Sequence, residues 1–154
     1  MPNCQCPCGD TRFTVHGAPL MRAFCHCTLC QAFNRSPYAD IILFRRRDVS
    51  PPTGESLDLS VWRRPPAAQR GKCRACQRPA IEFMRLPLVG ELVIVPSANI
   101  GDAALVPAPA LHIFYDSRVA DIVDELPRYR GYWRSQLAFS RRLLGAMLRH
   151  RHAT

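Results

Sequence analysis

Eight cysteines fall into three tight clusters whose spacing suits chelation of metal ions. The first is Cys4-Gln5-Cys6-Pro7-Cys8, the second Cys25-His26-Cys27-Thr28-Leu29-Cys30 and the third Cys73-Arg74-Ala75-Cys76. Cysteines this close in sequence are awkward disulfide partners, because a disulfide demands a set Cα separation and set Cβ directions. The same spacing lets one loop grip one ion from two sides. Structural zinc takes four ligands, whereas catalytic zinc keeps three and leaves one position open. Cys6, Cys8, Cys73 and Cys76 therefore suffice to close one zinc site, joining the start of the chain to its middle. Cys25, Cys27 and Cys30 remain, three thiolates within six residues and one ligand short.

A three-thiolate zinc favours another soft ligand, and a thiol bound there is deprotonated near neutral pH. The expected chemistry at the second cluster is thus activation of a sulfur nucleophile. An alternative stays open, in which Cys4 or His26 completes the second site and both sites are structural. His26 lies between two ligands, where its ring is expected to point away from the ion. Cys4 could also share the first site or stand as a spare thiol.

The elements that would carry these clusters are mostly short strands. Asp10 to His16 alternates, with Phe13 and Val15 on one face, and Leu20 to Phe24 leads directly into the second cluster. A short helix is expected after Thr28, ending before Ser36-Pro37, since the residue ahead of proline avoids the α region. Tyr38 to Phe44 reads as a buried strand, Leu57 to Trp62 as an alternating one, and Ala80–Leu86 and Glu91–Val95 as two more. A turn-rich stretch over 49–55 and a proline-rich connection over 106–109 separate them, and a last strand is expected over Leu111–Tyr115. Such a chain is a small β-dominated fold.

From Tyr129 the pattern becomes helical, with Trp133, Leu137, Leu144 and Leu148 recurring on one face and arginines mostly on another. The helix allows three readings: docking on its own domain, dimerisation, or contact with an anionic surface such as a membrane or nucleic acid. Docking or dimerisation is expected, because the apolar stripe needs somewhere to be buried, and Trp62 and Trp133 are expected to be core or docking residues. The expected organisation is a zinc-binding domain over 1–128 and a basic amphipathic helix over 129–154. Net charge is +9, yet residues 128–154 hold seven arginines and no acid, leaving 14 basic and 12 acidic side chains elsewhere. Nucleic-acid binding by the domain body is disfavoured on that count. No apolar run of membrane-spanning length occurs, and the N-terminal residues lack a basic-then-apolar signal segment, so a cytoplasmic protein is expected.

The ordered motifs Cys6-Pro7-Cys8-Gly9 with Arg12-Phe13, Cys25-His26-Cys27-Thr28-Leu29-Cys30, Cys73-Arg74-Ala75-Cys76 and His112-Ile113-Phe114-Tyr115-Asp116-Ser117-Arg118 resemble the glutathione-dependent formaldehyde-activating (GFA), or CENP-V-type, enzymes over roughly residues 4–130. The resemblance implies the Mss4-like fold of short antiparallel sheets stapled by zinc. It implies a structural zinc on Cys6, Cys8, Cys73 and Cys76 and a second, catalytic zinc on Cys25, Cys27 and Cys30. It further implies glutathione as co-substrate, added to formaldehyde to give S-hydroxymethylglutathione, a carbon–sulfur lyase reaction. The rival expectation is a non-catalytic Mss4-like module with a scaffold or protein-interaction role.

Two departures stand out. Where the family usually has a Ser-Gly-Ser-like turn after the triplet, this chain has Asn34-Arg35-Ser36, and where a Gly-Ser or Gly-Thr is common after the last knuckle it has Gln77-Arg78. Arg35 and Arg22 are candidate partners for the glutathione carboxylates. Arg45-Arg46-Arg47 reads first as a solvated strand end, and His112 as a hydrogen-bonded strand residue that could approach the pocket.

Overall fold

The computed structural model describes residues 1–63 and 68–150. Arg151, the last of the tail arginines, lies outside the described residues. β1 (Cys4–Gln5) pairs antiparallel with β2 (Arg12–Val15), setting Cys4 opposite Phe13. In β2, Phe13 and Val15 turn inward and Arg12 outward, as the alternation requires. β3 (Met21–Cys25) buries every second residue and ends on Cys25. α1 (Thr28–Asn34) follows after two residues and stops at Arg35, just ahead of Ser36-Pro37. β4 (Ala39–Arg45) is the buried run, with Ile41, Ile42, Leu43 and Phe44 all inside.

β5 (Val49–Ser50) adds to β2, making a three-stranded sheet in the order β1-β2-β5. β6 (Leu57–Val61), β7 (Ala68–Cys73), β8 (Pro79–Leu86) and β9 (Gly90–Pro96) run as an antiparallel meander. β10 (His112–Ile113) pairs in parallel with β3, placing His112 opposite Phe24. α2 (Tyr132–Arg149) closes the described chain. The protein is thus mainly β with a C-terminal helix, as its sequence pattern requires.

Two compact units divide these elements: Met1–Pro19 with Ile42–Val106, and Leu20–Ile41 with the chain from Pro107 onward. The first unit has a core of Phe13, Val15, Phe44, Leu57, Ile81 and Val93, into which Cys4, Cys6 and Cys73 also reach. Inside its meander, a Cβ on Gly71 would sit 2.7 Å from the Ile81 carbonyl oxygen, and the β7–β8 register shifts between Gly71 and Lys72. Only a residue without a side chain permits that approach.

Three expectations change. β10 is two residues long rather than five, because Phe114 turns left-handed (φ 54°) and a 3-10 turn takes Tyr115–Ser117. β6 forms, but beyond Leu57 its apolar residues are exposed, and Trp62 lies at the surface with its Nε1–H donated to the Ser60 hydroxyl. The largest change concerns α2: Trp133, Leu137, Leu144 and Leu148 face outward, and the buried face is Ser135, Phe139, Leu143 and Ala146. Ser135 is what hides this face in the sequence. Its hydroxyl accepts from the Phe114 N–H at 2.8 Å and lies 3.2 Å from the Tyr129 carbonyl, so a polar residue sits comfortably at the buried end of the helix.

Candidate metal centres

The first thiol cluster grows from two tight turns in the first unit. After β1, the Gly9 N–H donates to the Cys6 carbonyl at 2.9 Å, and Gly9 has φ 77°, which glycine adopts without strain. This turn presents Cys6 and Cys8 side by side, and the Thr11 N–H points at Cys6 Sγ at 3.3 Å. At the end of β7 the Gln77 N–H closes on the Cys73 carbonyl at 2.8 Å, presenting Cys73 and Cys76. The four sulfurs of Cys6, Cys8, Cys73 and Cys76 all lie within 4.8 Å of one another. Cys6 to Cys8 is 3.4 Å and Cys8 to Cys73 is 3.6 Å. Sulfurs about 2.3 Å from a tetrahedral zinc stand about 3.8 Å apart, so the quartet is close to the size of a zinc cage.

Its electrostatics ask for a cation. Burial works to raise Cys73, but hydrogen bonds from Thr11 and from the Cys76 and Ala75 backbone bring it down to about 6. The Asp10 backbone N–H works to lower Cys8, yet Cys6 and Cys76 beside it push it up to about 12. Charge on one sulfur therefore disfavours charge on the next, a conflict that a bound cation would relieve.

In the second unit, three sulfurs gather where β3 meets α1. Cys25 ends the strand, Cys27 caps the helix and accepts the Cys30 N–H at 3.3 Å, and Cys30 lies in the first turn. These sulfurs also lie within 4.8 Å of one another, with Cys25 and Cys30 buried and Cys27 partly exposed. Negative charge at a helix N-terminus is favoured by the dipole. Even so, the Cys27 and Cys30 sulfurs, together with burial, hold the Cys25 thiol well above its ordinary value. Among the described residues, the group contains no fourth histidine, cysteine or carboxylate. Both donor sets are all-sulfur, which suits zinc.

The alternative fourth ligands lie elsewhere. His26 is not part of the thiol group, and its Nε2 lies 2.9 Å from His112 Nδ1. Burial, with His112 and Arg118 nearby, lowers His26 to about 4, so it is neutral at pH 7. Cys4 is buried in β1, belongs to neither group, and is raised by that burial to about 11.

The candidate arginines have unequal surroundings. Arg22 is held by both oxygens of Asp40, at 2.8 and 2.7 Å, and lies 5.6 Å from the Phe24 ring centre. Arg35 is exposed and takes the left-handed conformation (φ 49°, ψ 48°) at the end of α1. Gln77 is left-handed too, at φ 58°. These are the two positions at which this chain lacks the glycine expected of its relatives, and the backbone still makes the glycine-like turn at both. In the run 45–47, Arg46 donates to the Val49 carbonyl at 2.9 Å, and Arg47 is largely exposed beside Asp48.

Sequence reasoning missed Asp124, whose carboxylate lies 2.8 Å from His112 Nε2. It sits in an irregular loop with no motif around it. His26 and His112 were each visible as candidates; their pairing was not.

A β-protein with one thiol quartet and one thiol trio at a helix N-terminus carries two groups of cysteines that could each hold a metal ion. The profile of the family described as glutathione-dependent formaldehyde-activating enzyme (GFA) matches residues 1–117, and the chain belongs to that family. No curated protein matches the chain.

Proposed function

We propose that the protein is a zinc-dependent carbon–sulfur lyase that adds glutathione, or a similar thiol, to formaldehyde or another small aldehyde. The single observation that carries this reading is the trio of Cys25, Cys27 and Cys30, which offers three sulfurs and no fourth protein ligand among the described residues. Zinc bound there would supply one remaining position at which a thiol is held as thiolate. The chain's own part is to fix the three sulfurs at the β3–α1 junction and to leave the Cys27 side open to solvent. In the reaction the thiol gives its proton to water, its sulfur pair forms a bond to the aldehyde carbon, and the carbonyl pair moves to oxygen. That oxygen takes a proton from water, so the step is a net addition without oxidation. Arg35 is proposed as a partner for a glutathione carboxylate; Arg22 could assist only by giving up Asp40.

The quartet of Cys6, Cys8, Cys73 and Cys76 is proposed to hold a second, structural zinc. Eight cysteines held as thiols rather than disulfides fit a reducing compartment such as the cytoplasm. A scaffold role without catalysis is the rival reading, favoured by the engagement of Arg22 with Asp40.

Metal analysis of the full chain should find two zinc ions, and Cys25→Ser should remove one. With cobalt in place of zinc, glutathione should alter the visible spectrum of wild type and accelerate hemithioacetal formation. Unchanged metal content in Cys25→Ser, or two metals with neither a spectral nor a rate response, would reject the lyase reading.

A further inference from the structure

The outward face of α2 is the most distinctive surface that the metal centres leave unexplained. Its 18 residues span about 27 Å. The helix is anchored through Ser135, Phe139, Leu143 and Ala146, yet on the opposite side Trp133 is 81% exposed, Leu137 61%, Leu148 56% and Leu144 47%. At 100° per residue these four fall within one narrow sector. Arg134, Arg141, Arg142 and Arg149 fill the adjoining sector and are exposed. None of the four forms an ion pair with a described residue, and no acid occurs between Arg128 and Arg149. This arginine flank borders a groove of about 950 Å³ whose other wall includes Leu20, Pro107 and Ala108. The helix lies beyond the 1–117 segment that the GFA family profile covers, so the surface is not part of the family match.

We propose that α2 lies on an anionic lipid bilayer, with Trp133, Leu137, Leu144 and Leu148 entering the interface and the arginine flank over the headgroups. An apolar ridge beside a cationic flank, with a tryptophan near one end, is the pattern of an interfacial helix. No helix of the described chain is long and apolar enough to cross a membrane, so the contact is with the surface. Charge selects the occupant. A second copy docked antiparallel through the same ridge would bring this arginine flank against itself, and in either orientation the helix offers no acid to meet its arginines. A nucleic acid would pair with the arginines but would leave four large apolar side chains facing a phosphate backbone.

The test is vesicle flotation of the full-length, metal-loaded protein. Phosphatidylcholine vesicles with about one-third phosphatidylserine, resembling an anionic cytoplasmic leaflet, should carry it, and pure phosphatidylcholine should not. Binding should weaken at high salt. Replacing Arg134, Arg141, Arg142 and Arg149 by Gln should weaken it by roughly fivefold per arginine. In a Trp62→Phe background, Trp133 fluorescence should shift to the blue on vesicle addition, and Leu144→Ser with Leu148→Ser should reduce the shift. All substituted positions are exposed, and unchanged metal content with an unchanged far-ultraviolet spectrum would show each variant folded. Failure of the folded protein to float, or flotation indifferent to phosphatidylserine, would overturn the proposal. So would a concentration-dependent dimer abolished by the leucine changes, or tighter binding to DNA than to vesicles. None of these outcomes depends on lyase activity.

Discussion

His26 Nε2 lies 2.9 Å from His112 Nδ1, so two buried imidazoles share one proton across the β3–β10 pair. The chain of contacts continues to Asp124, whose Oδ2 lies 2.8 Å from His112 Nε2. The other oxygen of Asp124 accepts from the Leu126 N–H at 3.1 Å and from Arg128 at 3.0 Å. A carboxylate can only accept here, so His112 Nε2 carries a hydrogen and the orientation of both rings is fixed. The residue between the clustered thiols of Cys25 and Cys27 is thereby held in place.

Asp124→Asn should loosen this anchor. The carboxylate is partly desolvated, which raises its pKa, but His112, the Leu126 N–H and Arg128 together hold it below the ordinary 3.8. A depressed folded value means that the stabilisation is full above the unfolded value, near 4, and is lost as pH falls through the lower folded one. Urea unfolding should show a deficit for Asp124→Asn of roughly 1–2 kcal/mol at neutral pH, the size expected for a charged hydrogen bond. The deficit should begin to shrink below about pH 4 and close only below the depressed folded value. A deficit that grew in acid would contradict this account.

Cys73→Ser should remove one metal ion per chain and unfold the first unit, because binding at a closed thiolate site contributes on the order of 10 kcal/mol of folding energy. Cys4→Ala is the matched control. Cys4 is as buried as Cys73 but stands outside both clusters. Its loss should cost only about 1 kcal/mol for the small cavity and leave metal content unchanged. Equal metal loss in the two variants would place Cys4 among the ligands.

Arg35→Gly should stabilise the protein while weakening thiol binding. A left-handed residue with a Cβ costs about 1 kcal/mol relative to glycine, so Tm should rise by about 2–4 °C. If Arg35 also meets a glutathione carboxylate, KM for glutathione should rise in the same variant with metal content constant. A stabilised variant with unaltered KM would leave Arg35 as backbone strain alone.

Much of the scaffold was legible because its signals are local. Phe13 and Val15 alternate within four residues, Ile41 to Phe44 form an unbroken apolar run, and each thiol cluster is built from neighbours in sequence. What escaped depends on distant partners. β7 reads Ala-Gln-Arg-Gly-Lys-Cys, a polar string that becomes a strand only because β6 and β8 flank it. The buried face of α2 includes a serine satisfied by Phe114 and Tyr129, whereas the more apolar stripe stays in solvent. Asp124 gains its role from His112, which a single-chain pattern does not connect to it.

The interleaving of the two units has a consequence on the ribosome. Phe24 finds its partner His112 only 88 residues later, a wait of roughly 4–18 s at about 5–20 residues per second. Cys6 and Cys8 likewise wait for Cys73 and Cys76 before their quartet exists. The trio of Cys25, Cys27 and Cys30 needs no such wait, since it is complete as soon as Cys30 is made. A growing chain therefore offers its three-sulfur grip to metal, or to an oxidant, well before the four-sulfur one. The order of translation gives the smaller set the first claim.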